Sequence, residues 1–147
     1  MTKSLLAAAV AALCLTACFF SKPGPNDIVV PRADLQALTN QYNAALAGDP
    51  ELSPVFGAFK PTGTKKPDTE SFGVLAIKGK AWTGLGPDQR DRVVKKAAST
   101  FTDLFLQSRI KTVKTATIHL VGDGKYDVGW FDVRKEKGDY SYRFVGQ

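Results

Sequence analysis

The feature that most constrains the fold is the alternation of apolar and polar residues through the last third of the chain. It runs through three segments, 115–121, 126–134 and 139–145. Alternation with period two is typical of β-strands that bury one face. Asp123-Gly124 and the four residues 135–138, which are Lys, Glu, Lys and Gly, lie between the segments and are typical of tight turns. The sequence therefore predicts an antiparallel three-stranded meander.

Symmetric closure of the two hairpins places Val121 opposite Tyr126 and Arg134 opposite Asp139, and this assigns every side chain to a face. One face is nearly all apolar and carries Ala116, Ile118, Leu120, Phe131, Val133, Tyr140, Tyr142 and Phe144. The other is mixed and carries Thr117, His119, Val121, Tyr126, Val128, Trp130, Asp132, Arg134, Ser141 and Arg143. Both hairpins agree on which face is the core, and this agreement supports the assignment.

Two helices are predicted before the meander. Residues 33–47 carry apolar side chains at three-to-four spacing and are followed by Gly48, a typical residue after a helix end. A second helix begins at Pro87, with Asp88 and Asp91 favouring the positive end of its dipole. Its apolar stripe consists of Val94, Ala97, Ala98, Phe101, Leu104 and Phe105.

The segment between the helices is predicted as a connection over residues 49–71 and a strand over residues 72–81. The element order is then α-β-α-β-β-β. We expect a small single α+β domain over residues 32–147, in which the antiparallel C-terminal meander packs against one main helix.

The first eighteen residues indicate export. Lys3 precedes an apolar run from Leu5 to Leu15, which is the length of the hydrophobic region of a signal peptide. A membrane-spanning helix needs about 20 apolar residues, and Thr16 interrupts this run. A cleaved signal is therefore favoured over a stable span.

The run ends in Leu15-Thr16-Ala17-Cys18, and in this signal region alone the chain resembles bacterial lipoproteins. The resemblance implies cleavage before Cys18, so that residues 1–17 are a signal peptide, with a diacylglycerol on the Cys18 thiol and an acyl chain on its amino group. A cysteine thiolate is nucleophilic enough to form such a thioether. A conventional signal-peptidase site fits less well, because Leu15 stands where a small residue is needed. A eukaryotic secretory signal is a further alternative.

Residues 18–31 are predicted to be the lipidated cysteine and a flexible tether, since three prolines and a glycine interrupt any periodicity. In enterobacterial lipoproteins, an aspartate directly after the cysteine retains the protein in the inner membrane. Phe19 stands there, so the resemblance implies the outer membrane, facing the periplasm; the inner membrane and the cell surface stay open as alternatives. Cys14 leaves with the signal and Cys18 is taken by lipid, so we expect no disulfide.

Few residues offer catalytic or metal-binding chemistry. His119 is the only histidine and has no nucleophile motif beside it. A zinc site needs three or four ligands, and Asp123 and Asp127 lack the spacing of a calcium loop. We therefore predict no metal, no cofactor other than the lipid on Cys18, and a non-enzymatic protein.

The mixed sheet face is the candidate binding face. Its candidate residues are His119, Tyr126, Trp130, Asp132 and Arg143. The register places Trp130 beside Thr117 and Arg143, where a tryptophan can stack a sugar, hold a cation or anchor a protein. The competing and slightly favoured interpretation is that the first helix, through Leu35, Leu38 and Tyr42, covers this face as a second core layer.

The formal net charge is +6, and Lys3 is the only charged residue before Cys18, so the basic excess belongs to the folded part. An exported protein meets little nucleic acid. The charge is expected to face lipid head groups, lipopolysaccharide phosphates or an acidic protein. Lys60, Lys65 and Lys66 form the densest basic cluster, for which a solvated loop is the favoured interpretation.

Together these patterns predict a membrane-anchored envelope lipoprotein that acts as a non-enzymatic accessory or binding module. Its expected partner is an envelope protein or an anionic glycolipid. The alternatives are an envelope hydrolase that uses carboxylates and a structural subunit of a secretion or surface complex.

Overall fold

In the described residues, the chain forms a five-stranded sheet with two long helices on one face. The computed structural model describes residues 30–62, 72–123 and 126–145. The elements are α1 (Arg32–Gly48), β1 (Phe56–Pro61), β2 (Gly73–Ile77), α2 (Gly79–Thr83), α3 (Pro87–Gln107), β3 (Thr115–Gly122), β4 (Tyr126–Arg134) and β5 (Asp139–Phe144).

The strands follow one another across the sheet in chain order, from β1 to β5. Neighbouring strands are antiparallel except for β2 and β3, which run parallel and are connected through α2 and α3. Parallel neighbours need such a crossover, because the chain has to return to the same end of the sheet. The predicted α+β class, with its C-terminal meander against one main helix, is confirmed.

Two elements differ from the sequence prediction. Residues 49–71 were predicted as a connection, but they contain β1, whose pairing with β2 is irregular between Phe56 and Phe59. This bulge breaks the alternation by which a strand is recognised. The strand predicted over 72–81 ends at Ile77, and α2 follows it and buries Trp82.

The core is built from aromatic rings supplied by both helices and the sheet. Phe101 of α3 is fully buried, and its ring lies 5.0 Å from that of Tyr42 and 6.0 Å from that of Phe131. The Tyr42 hydroxyl donates to the Ala97 carbonyl (3.0 Å), which ties α1 to α3, and burial raises the pKa of Tyr42 above its ordinary value. The apolar stripes predicted for both helices are confirmed as core, except that Leu104 of α3 is only partly buried.

The folded core begins before α1. Val30, which lies in the segment predicted as a tether, is 4% exposed and belongs to the core cluster. Cys18 and the rest of the predicted signal and tether, up to residue 29, lie outside the described residues, as do Lys65 and Lys66.

The apolar face predicted for the meander is confirmed, although part of its register is shifted. Arg134 lies opposite Asp139 as predicted, but Val121 lies opposite Asp127 and not opposite Tyr126. A bulge in β4, in which Val128 is the extra residue, then brings Leu120 opposite Gly129. From Thr115 to Leu120 of β3, each residue pairs with a β4 residue two positions later than predicted. Because side chains alternate with period two, the assignment of faces is unchanged there.

Truncation of Phe131 tests this assignment of faces. We expect Phe131→Ala to lower the free energy of unfolding by about 3–5 kcal/mol, because it leaves a cavity beside Phe101. Trp130→Ala, one residue earlier and on the other face, should cause a clearly smaller loss. Chemical denaturation of the purified variants, followed by circular dichroism, measures both values. A larger loss for Trp130→Ala than for Phe131→Ala would contradict the structure.

Candidate functional site

The face of the sheet opposite the two long helices is the candidate site, and we call it the open face. Strand pairing places Lys60, Val74, His119, Trp130 and Arg143 side by side in one row across all five strands. Residues paired on neighbouring strands point to the same side of a sheet. The row therefore brings together residues that are far apart in the sequence.

The first helix does not cover this face, so the favoured interpretation of a second core layer is wrong. α1 packs against β1 and α3, on the same side of the sheet as Phe131. Its apolar stripe needs an apolar surface, which Phe59 and Phe101 provide through contacts with Tyr42. In the parts of the chain that the structure describes, neither long helix packs over Trp130.

Trp130 is half-buried between two neighbours on the open face. The Arg143 guanidinium carbon lies 5.9 Å from the centroid of its ring, and the ring of His119 lies 6.4 Å away on the other side. Arg143 was predicted as a neighbour of Trp130 and is confirmed. Thr117, the other predicted neighbour, instead lies opposite Asp132 because of the register shift.

The polar groups of the open face are bonded in separate pairs. His119 Nδ1 lies 3.3 Å from Asp127 Oδ2, and the Thr117 hydroxyl donates to Asp132 Oδ1 (2.5 Å). A nucleophilic triad requires the hydroxyl to bond to the imidazole, which a carboxylate then orients. Here the hydroxyl and the imidazole bond to different carboxylates, an arrangement that fits surface pairing better than nucleophile activation.

The sequence did not predict Asp127, Lys60 or Val74 on this face, and it placed Tyr126 here wrongly. The bulge puts Asp127 opposite Val121, whereas Tyr126 pairs with Gly122 and its ring packs over that glycine. Gly122 is on the helix side of β3, so Tyr126 lies on the helix side too. No signal in the sequence marks the bulge, because the alternation continues through it.

The open face carries charges of both signs. Lys60 and Arg143 are exposed cations at opposite ends of the row, and Asp127 and Asp132 are carboxylates close to its centre. Asp123 and Asp127, at either end of the turn between β3 and β4, serve different neighbours, since the Asp123 carboxylate lies against Gly79 while Asp127 faces His119. This separation agrees with a hairpin turn better than with a shared cation.

In residues 30–62, 72–123 and 126–145, no cluster of three or more histidine, cysteine or acidic side chains could hold a metal ion. None of the helices there has both the length and the apolar character needed to cross a membrane.

Comparison of the chain with protein-family models, with curated proteins and with solved structures finds no significant match.

The exposure of Trp130 can be measured against that of the other tryptophan, Trp82, which is 7% exposed and packs beside Phe144. Trp82→Phe leaves only Trp130 to fluoresce, and Trp130→Phe leaves only Trp82. We expect acrylamide to quench the first variant more strongly, because only Trp130 lies on the open face. Equal or weaker quenching of Trp130 would mean that another part of the molecule covers this face.

Proposed function

We propose that the protein is a lipid-anchored lipoprotein of the bacterial cell envelope and that it acts without catalysis, by binding an envelope protein on its open face. The observation that carries the anchor is the sequence Leu15-Thr16-Ala17-Cys18 at the end of an apolar run. The observation that carries the binding role is a tryptophan held between a histidine and an arginine on a sheet face that α1 and α3 leave uncovered.

The distance along the chain from the anchor to the core suits a tethered domain. Cys18 precedes the first core residue, Val30, by twelve positions. Twelve residues reach at most about 40 Å when fully extended. A lipid on Cys18 would thus keep the domain near the membrane surface, and Phe19 after the cysteine supports the outer membrane, facing the periplasm. Two or more acyl chains anchor a protein stably, whereas one is marginal.

A protein partner fits the open face better than an anionic glycolipid does. A surface that binds phosphates collects cations, but Asp127 and Asp132 lie on either side of the row that holds Trp130. Carboxylates at these positions would repel an anionic head group, whereas a protein can offer charges of both signs. Tryptophan and arginine are also the residues most enriched at the energetic centres of protein interfaces.

The absence of a catalytic role is supported by the bonding of the face itself. His119, Thr117 and the two carboxylates are bonded as two separate pairs, and Arg143 lies over the tryptophan. Such pairs hold side chains in place for recognition. They do not supply a hydroxyl activated by a base.

Metabolic labelling tests the anchor. In cells given an alkyne-bearing fatty acid, the wild-type chain should become labelled and partition with membranes, and Cys18→Ala should lose both properties. Cys14→Ala is the matched control, because this residue lies in the signal and should leave labelling unchanged. Equal labelling of Cys18→Ala and wild type would disprove lipidation at this residue.

Photo-crosslinking tests the partner. A photoreactive amino acid at Lys60, which is exposed on the open face, should give a discrete adduct with another protein in intact cells. The same amino acid at Gln36, an exposed residue of α1, is the control and should give none. The adduct at Lys60 should disappear when Trp130→Ala is added to the chain. An adduct that survives this change, or one that forms equally from Gln36, would count against binding at the open face.

A further inference from the structure

The sheet has two edge strands, β1 and β5, and the structure protects β1. An edge strand presents backbone groups with which another strand can pair. Directly after β1, the Thr62 N–H donates to the Phe72 carbonyl (3.1 Å). Because residue pairs with and without backbone hydrogen bonds alternate along two antiparallel strands, the backbone groups of Phe59 and Pro61 point outward. Asn43 of α1 accepts from the Phe59 N–H (2.7 Å) and donates to its carbonyl (3.1 Å), and Pro61 has no N–H. Pairing along this edge is thereby blocked.

The other edge has no such protection. β5 is a regular six-residue strand that contains neither proline nor bulge. Val145 N–H donates to the Val128 carbonyl (3.0 Å), so the same alternation turns the backbone groups of Tyr140, Tyr142 and Phe144 away from β4. Among the described residues, β5 pairs only with β4, and none bonds to these outward backbone groups.

The β5 strand is complementary to itself. When it is paired antiparallel with a second β5 around Ser141, Asp139 of each copy lies opposite Arg143 of the other, and Tyr140 lies opposite Tyr142. Tyr140 and Tyr142 are then the paired residues whose outward N–H and C=O groups form backbone hydrogen bonds between the two copies. Asp139 and Arg143 form the pairs without backbone hydrogen bonds, in which side chains approach most closely.

We propose that β5 pairs in this register with β5 of a second copy of the chain, which gives a continuous sheet of ten strands across a twofold axis at Ser141. The charged partners are already oriented within each copy. Two hydrogen bonds from Arg134 (2.8 and 2.5 Å) hold the Asp139 carboxylate, and Arg143 lies over Trp130. Side chains that are ordered before association cost less entropy when they pair.

The Tyr142 side chain fixes β5 to the helix layer and leaves its backbone free. The Tyr142 hydroxyl donates to Asp91 of α3, and this bond holds the pKa of Asp91 below its ordinary value and the pKa of Tyr142 above it. Lys95 pairs with the same carboxylate (2.9 Å). The strand is therefore held in position by α3, and its outward N–H and C=O groups are available to a second strand.

A cysteine at the proposed axis tests the register. In the full chain with Cys14→Ala and Cys18→Ala, Ser141→Cys supplies the only thiol. In the dimer, residue 141 of one copy lies opposite residue 141 of the other, in a pair without backbone hydrogen bonds. The two Cα atoms of such a pair are about 4.5 Å apart, within the range that a disulfide spans. Mild oxidation in detergent solution should convert most of this variant into a covalent dimer.

Lys137→Cys is the matched control for the cross-link. Lys137 is also exposed and lies in the neighbouring turn, but in this register its counterpart is roughly 25 Å away. It should therefore form little dimer under the same conditions. Equal cross-linking of the two variants, or none from Ser141→Cys, overturns the proposal.

Association without a cross-link gives the second measurement. The full chain should sediment as a dimer, and Ser141→Lys should weaken dimerisation by about tenfold or more, because two ammonium groups would face each other at the axis. Ser141→Thr keeps the hydroxyl and should leave dimerisation unchanged. A monomeric wild type, or a dimer that Ser141→Lys leaves intact, overturns self-pairing. These outcomes do not depend on lipidation or on an envelope partner, although the side chains of Asp139, Ser141 and Arg143 lie on the open face.

Discussion

The packing of Phe101 is the interaction on which the rest of the structure depends. Its ring contacts Tyr42 from α1, Phe59 from β1 and Phe131 from β4, so one fully buried side chain joins both long helices to the sheet. Burial of Tyr42 requires a partner for its hydroxyl, and Ala97, one turn before Phe101, supplies that partner. These contacts hold α1 and α3 on the same side of the sheet, and within residues 30–62, 72–123 and 126–145 no helical layer covers its other side.

The packing of both long helices on one side of the sheet determines where the polar side chains and Trp130 lie. The helix side of β3 and β4 is filled with apolar groups, so His119, Trp130 and Asp132 are directed to the open face by the alternation of the strands. The same one-sided packing explains why the backbone of the edge strand β1 is protected and that of β5 is not. α1 lies beside β1 and can offer Asn43 to its backbone, whereas β5 is at the far side of the sheet from α1.

The sequence predicts features that depend on local periodicity. The stripes of α1 and α3 and the faces of the meander, apart from those of Tyr126 and Asp127, follow from spacing alone and were predicted correctly. The side on which α1 packs could not be predicted, because a stripe such as Leu35, Leu38 and Tyr42 shows that a helix is amphipathic without showing which surface it meets. The bulge at Val128 has no marker in the sequence, and one extra residue moved Tyr126 to the other face. β1 was missed for a related reason, since its own irregular pairing hides the period of two.

The proposed binding role of the open face and the proposed pairing of β5 are geometrically compatible. A twofold axis through Ser141, perpendicular to the sheet, leaves both open faces on the same side of the dimer, with the two copies of Arg143 near the axis. The first helix of each copy then lies at an outer edge, because α1 packs beside β1, at the opposite end of the strand order from β5. A partner could then bind across both tryptophan rows without meeting α1 of either copy, so dimerisation would double the binding surface.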